Sequence, residues 1–594
     1  MGAWSPHESP VDPAREPVTA RAVREQLARV VNSSGFVSSA RLRRFLAHIV
    51  NRTIDGDLDS LKEFSIAMEV FDRTADYDPN IDAIVRVEAR RLRSKLKAYY
   101  EEGPGRSDPV LIGLRPGSYV PIFRWLERGP RENRKEIGTS IQTRRASIAV
   151  LPFANMSQEP GQDYFCDGIS EEIINALTRV SGLNVIARTS AFQFKGVAVD
   201  IREVGQRLGA DLVIEGSVRK EGMQLRIAAK AIHSESGHHL WSETFRCELK
   251  DIFTIQEDIA ESVAGLLRLQ MPEARVRASA WNLDAYTRHL RARFLIHQQS
   301  PEAQRAALEQ LRELIELFPD YAPAYSGIAE AYGFLCFFGL VSGRDMYPEI
   351  IANAERGYAL DPDSGETCTV LAGVRACFEY RWEEADRLYA RALQLQPGHA
   401  TAHLFRAVGS LSRGNILAAE SGFRRAAELD PISASGCARM AYLHYVKGDY
   451  RSAAQHLKKS LDRDPNYPEA RLYDGLLHFQ QKDYDGVIQC FSYSSAPLDI
   501  GLMAAAHARK GSESRARKCI EELTRLAGGQ YVTPLAEAFA AIGIGDHDLA
   551  FQRLEQAIEH KTNFVNLLAV EPFFNPLRSD GRFSGLLKTV NLPC

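Results

Sequence analysis

The chain has 594 residues, 45% apolar and 25% charged, with a formal net charge of −3, a globular composition that excludes a wholly disordered chain. The near-neutral total carries no global sign of nucleic-acid binding, yet the charge is unevenly placed. Residues 82–145 hold 15 basic and 8 acidic side chains, a local excess that points to an anionic partner.

Nine cysteines are dispersed with no Cys-x-x-Cys pair. They read as reduced, buried thiols, not as a disulfide framework or a zinc site. The first twenty residues lack the apolar core of a signal peptide, and no run reaches the roughly 18 apolar residues that a membrane helix needs. The expected location is the cytoplasm, with no membrane partner.

The pattern predicts a multidomain chain: a Pro-rich disordered tail over 1–20, a small α+β domain over 21–125, a charged linker over 126–146, an α/β domain over 147–270 and an all-α repeat array over 281–594. In the first domain, Ser38 to Val50 and Leu61 to Phe71 predict supporting helices. From Asp82 to Glu102, Val85, Ala89, Leu92, Leu96 and Tyr99 recur at helical spacing and form one apolar face. Arg86, Arg90, Arg93 and Lys97 follow the same spacing and form a basic ridge beside it, with Arg91 and Lys95 on the other flank. Val110 to Phe123 then reads as a hairpin turning at Arg115-Pro116-Gly117-Ser118.

A basic helix followed by a hairpin that carries an arginine suits DNA: one element enters a groove and the other leans on phosphates. Arg90, Arg91, Leu92, Arg93, Lys95 and Leu96, with Arg115, Gly117 and Tyr119, resemble the winged helix-turn-helix domain of OmpR-type response regulators. The string from Phe36 to Phe123 also resembles a module found ahead of repeat-containing bacterial regulators. The acidic connector Asp72 to Asp82 and Pro116 depart from the OmpR pattern.

The middle domain opens with a buried-strand run, Ser147 to Phe153. A helix through Ile169, Ile173 and Leu177 follows, then a strand at Val185 and a short helix over Ile201 to Leu208. Leu212 to Val218 is a strand that turns at Lys220-Glu221-Gly222 into the alternating Leu225, Ile227, Ala229 and Ala231. His238 to Phe245 reads as a neighbouring strand. Thr254 with Glu257 suggests a capping box opening the last helix, and the carboxylates from Asp167 to Glu172 read as a helix N-terminus. Val150 to Ile173, Leu212 to Ile232 and Leu240 to Ala260 resemble the TolB-like N-terminal domain, which implies a protein-contact domain without catalytic residues.

The repeat array is marked by Pro319, Pro362, Pro397, Pro431 and Pro465, at spacings of 43, 35, 34 and 34. A period of 34 is that of tetratricopeptide repeats. Ala372-Gly373, Ala385, Tyr389 and Ala392 fall at the small and aromatic positions. Ala407, Ala419, Phe423 and Ala426 repeat them, as do Ala441, Ala453 and Leu457. The 43-residue step suggests a loop insertion over Gly339 to Asp345. Seven or eight units should stack into a solenoid whose concave face takes a protein or peptide.

The sequence lacks a Gly-Lys dipeptide and therefore a P-loop. Gly543-Ile544-Gly545 reads as an inter-helix turn, and His399 with His403 lacks a third metal ligand. No catalytic residue, cofactor or metal is expected. The sequence thus describes a DNA-binding transcriptional regulator, self-associated through its acidic C-terminal part, whose DNA-contacting residues are Arg86, Arg90, Arg91, Arg93, Lys95, Lys97 and Arg115 on double-stranded DNA. The alternative is a non-enzymatic interaction scaffold whose basic ridge meets an acidic protein.

Overall fold

The computed structural model describes residues 18–33, 36, 39–57, 59–74, 77, 84–101, 104–114, 118–125, 145–157, 161–267, 269, 282–298 and 300–594. Most of the expected tail, nearly all of the linker and Arg115 lie outside the described residues. The chain divides into two compact units, Met1–Thr139 and Ser140–Cys594.

In the first unit, the helices given among the described residues before a hairpin are α1 (Ala20–Val31), α2 (Ala40–Ile54), α3 (Glu63–Phe71) and α4 (Ile84–Glu101). Folded structure starts before residue 20, because Val18 is buried and the Thr19 hydroxyl caps α1. Strands β1 (Val110–Leu114) and β2 (Pro121–Trp125) pair antiparallel, Val110 opposite Trp125 and Leu114 opposite Pro121. The apolar face foreseen for α4 is buried together with Val23, Phe45, Leu46 and Ile112. A polar knot then fixes the hairpin against α4. Gln26 Nε2 and the Tyr99 hydroxyl each donate to Asp108 at 2.6 Å, and the Ile112 amide donates to the Tyr100 hydroxyl at 3.0 Å.

The second unit opens with a mixed sheet. Strand β3 (Ala146–Val150) lies parallel to both β5 (Leu183–Val185) and β6 (Leu212–Glu221), and the two-residue β4 (Ala154–Asn155) also pairs with β6. Strands β6, β7 (Gln224–His233) and β8 (His239–Glu248) form an antiparallel meander. Gly222 supplies the positive φ of 58° that the two-residue turn between β6 and β7 requires. Helices α5 (Asp163–Thr178) and α8 (Ile252–Leu266) bury Ile169, Ile173, Leu177, Ile259 and Val263 against the sheet. The turn α6 (Arg188–Ala191) and the helix α7 (Ile201–Leu208) follow β5.

Thr254 does not cap α8: a 3-10 turn over Leu249–Asp251 has already started the coil, so Thr254 sits inside the helix. The carboxylates from Asp167 to Glu172 are not an N-terminus either, because α5 begins at Asp163.

Eight helix pairs follow among the described residues. They are α9 and α10 (Leu283–Ile296, Pro301–Leu317), α11 and α12 (Ala322–Phe337, Gly343–Leu360), α13 and α14 (Gly365–Cys377, Trp382–Leu395), and α15 and α16 (Ala400–Ser412, Ile416–Leu429). Then come α17 and α18 (Ala434–Val446, Tyr450–Arg463), α19 and α20 (Pro468–Gln480, Tyr484–Phe491), α21 and α22 (Pro497–Arg509, Glu513–Ala527), and α23 and α24 (Pro534–Ile544, His547–Glu559). Ala372, Ala385, Ala392, Ala407, Ala419, Ala426, Ala441 and Ala453 are all buried where paired helices meet. The long 43-residue step is not a loop insertion. The connection stays short, and most of the extra residues lengthen α11 to 16 residues and α12 to 18, against 13 and 14 in α13 and α14.

Helix α9 belongs to two layers at once. Its Tyr286 and Leu290 complete the core of the sheet domain, and a Cβ on Gly168 of α5 would meet Leu290 at 2.6 Å. The solenoid also closes on itself. The Arg344 amide at the start of α12 donates to the His560 carbonyl after α24 at 3.0 Å. A C-terminal segment with 3-10 turns over Val565–Leu567 and Pro572–Leu577, then α25 (Gly581–Thr589), lies against the first helices of several pairs. Phe573 packs on Phe479 and Phe539, and the buried Glu571 accepts from the Tyr442 and Tyr445 hydroxyls at 2.7 and 2.6 Å. Part of the inner surface expected to face a partner is therefore covered by the chain itself.

Only Cys166, Cys336 and Cys368 are fully buried thiols, and Cys594 is exposed. No helix among the described residues is long and apolar enough to cross a membrane. Gly543 ends α23 in van der Waals contact with α21: an added Cβ would meet Ala505 Cα at 2.2 Å. Gly543→Val should destabilise the solenoid by about 3 kcal/mol, read as an earlier urea midpoint, whereas the same change at open Gly585 should leave the midpoint nearly unmoved.

Candidate functional site

The basic side chains of α4 divide into three environments. Arg90 and Lys97 are exposed and carry no ion pair among the described residues. Arg86 is exposed too, but its Nε donates to Glu63 of α3 at 3.0 Å. Burial pushes the Glu63 carboxyl up while Arg86 pulls it down. Arg93 is half-buried near Tyr119, beyond the hairpin turn. The ridge foreseen as continuous is thus partly neutralised at Arg86.

On the other flank, Arg91 Nη1 donates at 2.9 Å to Glu88, which lies buried beneath it. Lys95 Nζ stands 5.9 Å from the centre of the Phe36 ring. Glu88, Arg90, Arg91, Ser94 and Lys95 line a shallow depression with Leu42 of α2 and Ser39, the residue that precedes α2. Charge alone did not reveal that α2 forms one wall of this surface. A phosphate oxygen in the depression would find several cations within one helix length.

A second site lies inside the larger unit. A chamber of about 960 Å³ is bounded by α5 on one side and by α9, α11, α13, α15 and α17 on the other, with Lys561 and Asn563 closing a further edge. Backbone contacts hold the sheet domain over it. The Gly398 amide donates to the Thr178 carbonyl at 3.1 Å, and the Ala187 amide to the Leu429 carbonyl at 2.7 Å. Asp430 accepts from the Thr189 and Ser190 hydroxyls at 2.6 and 2.5 Å.

One guanidinium organises the floor. Arg293 of α9 donates to Glu171 of α5 at 2.9 Å, to Glu330 of α11 at 2.8 Å and to Glu366 of α13 at 3.2 Å. Glu171 also meets His297 Nε2 at 3.0 Å and Arg188 at 3.2 Å. Burial works against its charge, but His297 and Arg293 hold its carboxyl well below the usual range. Asp167, one turn earlier, pairs with Lys195 at 2.7 Å.

Glu172 differs from its neighbours. It faces the chamber without a hydrogen-bond or ion-pair partner among the described residues. Burial, with Glu171 and Glu366 nearby, pushes its carboxyl up to about 7 against the opposing pull of Arg179 and Arg293.

His399 and His403 do not face a common ligand. The Ala402 amide donates to His399 Nδ1 at 3.3 Å, and His403 Nε2 lies 3.1 Å from the Pro397 carbonyl. Asp474, His478 and Cys490 bring potential ligand atoms within 4.8 Å of one another, a grouping that the sequence did not disclose. Their donors are partly occupied, with His478 Nδ1 2.8 Å from Asp483.

Against known proteins, residues 144–262 match the family model described as "HilA/YgeH-like transcriptional regulator, second domain". Residues 439–488 match a tetratricopeptide repeat. The repeat fold of the helical half rests on that match and on the paired helices. Among curated relatives, "Putative adenylate cyclase 3" of Rhizobium meliloti (strain 1021) is 41% identical over 189 residues, 31% of this chain and 32% of that protein. Transcriptional regulator HilA of Salmonella typhimurium is 20% identical over 328 residues, 54% of this chain and 58% of that protein. The chain spans less than two thirds of either relative. A tetratricopeptide repeat protein from Parabacteroides merdae superposes with a TM-score of 0.31 at 16% identity, over 47% of this chain and 98% of that one.

The Glu172 environment fixes the sign of a pH effect. The carboxyl ionises near 4.5 when unfolded and near 7 when folded, so stability falls as pH rises between those values and levels off above the upper one. Glu172→Gln should raise the melting temperature, with the gain at pH 8, up to about 3 kcal/mol, exceeding the gain at pH 5 in paired calorimetric scans.

Proposed function

We propose that this chain is a non-enzymatic, DNA-binding transcriptional regulator. The first unit binds double-stranded DNA in the manner of a winged helix-turn-helix. The sheet domain and the repeats receive a signal or a protein partner, and self-association presents paired DNA-binding units. The observation that carries this reading is the basic surface of α4, with Arg90, Arg91 and Lys97 exposed and Lys95 half-buried beside them, on a helix leading directly into a hairpin. It stands in a chain whose residues 144–262 match a domain of HilA/YgeH-like transcriptional regulators.

The remaining features fit the same reading. The TolB-like resemblance concerns the same sheet domain and implies protein contact. The tetratricopeptide match implies protein or peptide partners for surfaces that the chain leaves open. The relative named as a cyclase aligns over about a third of each protein, which supplies no ground for carrying that activity over. A cytoplasmic location belongs to the proposal, as the compartment of the DNA.

The test is a gel shift of the full-length protein on genomic fragments across a salt series. Arg90→Ala with Lys97→Ala should weaken binding to all sequences and lower the salt slope by about 2. Glu63→Gln should act in the opposite direction: removing the negative charge paired with Arg86 should strengthen binding a few-fold. If the wild-type protein binds no duplex even at low salt, the interaction-scaffold reading replaces this one.

A further inference from the structure

The chamber between α5 and the inner helices of the solenoid is formed by one chain on every side described. The sheet domain closes one face through Thr178, Ala187 and Ser190, and the region after α24 closes another through Lys561 and Asn563. Its volume of about 960 Å³ falls within the range of small-molecule sites.

The walls are chemically uneven. Phe334, Phe337, Phe338 and Phe405 are half-buried and present ring surface to the chamber. Phe338 packs on Phe334 and on Phe337, with ring centres 4.6 and 5.0 Å apart, and Arg439 already stands 5.5 Å from the centre of the Phe337 ring. Most of the cations around them already have acceptors. Arg293 serves three carboxylates, and Arg439 is paired with Glu469 at 2.6 Å. Arg463 donates to the Ser433 and Pro431 carbonyls, and Lys561 to the Phe378 carbonyl.

The carboxylate Glu172 stands apart. Arg179 follows it by seven residues along the same helical stretch, and so about 10 Å along the axis. It softens the negative potential at Glu172, but no hydrogen bond joins the two side chains. The chamber therefore holds one half-buried carboxylate without a partner among the described residues, and its lining also includes aromatic rings. Ring faces also attract cations.

We propose that this chamber is a binding site for a small organic cation, a primary ammonium on an apolar or aromatic body, whose nitrogen pairs with Glu172 while the body lies against the apolar part of the chamber lining. Such a ligand touches α5 from the sheet domain and the inner helices from the solenoid. It acts as a clasp between them, which makes it a candidate signal for the whole chain. The inference concerns binding and stands independently of the DNA reading.

The test uses the full-length protein at pH 8 and three probes with the same phenyl body: phenethylamine, 2-phenylethanol and 3-phenylpropionate, with hexylamine as an aliphatic amine. Phenethylamine at 5 mM should raise the melting temperature by two degrees or more. The alcohol and the carboxylate should not. Calorimetric titration should show at least a tenfold loss of phenethylamine affinity in Glu172→Gln. That variant is expected to melt no lower than wild type, so the loss would report the site and not a failure to fold. Absence of binding by both amines overturns the proposal. So does equal binding of the neutral alcohol, or undiminished amine affinity in Glu172→Gln. Each result is read without DNA, and a negative gel shift leaves it unaffected.

Discussion

The larger unit depends on how Arg293 is satisfied. A buried guanidinium without acceptors is costly, and a buried carboxylate without donors is costly as well. Here one arginine in the first repeat helix meets Glu171 from the sheet domain and Glu330 and Glu366 from the next two repeats. No element of this set is comfortable alone. Their mutual satisfaction requires α5, α9, α11 and α13 to hold fixed positions, and the sheet domain is thereby seated on the solenoid. Hydrophobic burial through Tyr286 and Leu290 supplies adhesion at the same place, while the charge network supplies the register.

That arrangement shows why some features were legible in the sequence and others were not. The repeats depend on local spacing: small residues at fixed offsets and a proline after each second helix. The packing of Ala372, Ala407 and Ala441 follows from that spacing alone. Helix α4 was equally plain, because its buried face and its charged face are both periodic. The Arg293 network is different. Its partners are 37, 73 and 122 positions away, and nothing at Glu171 distinguishes it from a surface acid in a run of acids. The same run suggested a helix start, because acids beside an apolar stretch are the usual mark of a first turn, and here the first turn lies earlier, at Asp163.

The candidate DNA surface shows the same division. The cations of α4 were visible, but the acid that engages Arg86 comes from α3, 23 positions earlier. The depression beside Arg91 needs Leu42 from α2 and Ser39 just before it. A count of positive residues overstates the free positive charge whenever a neighbouring helix contributes a carboxylate. The C-terminal segment was the least readable part. Its short 3-10 turns have no helical period, and Glu571 finds its two tyrosine partners more than a hundred positions upstream.

The closure of the solenoid changes its mechanics. An open stack of helix pairs behaves as a chain of nearly independent springs, in which each unit senses its immediate neighbours and melting can spread from an end. Joining the Arg344 amide to the His560 carbonyl, and anchoring the Trp382 indole to the Val590 carbonyl, converts that row into a hoop. In a hoop, fraying at one terminus loosens the middle, and strain applied at one point is shared around the circumference.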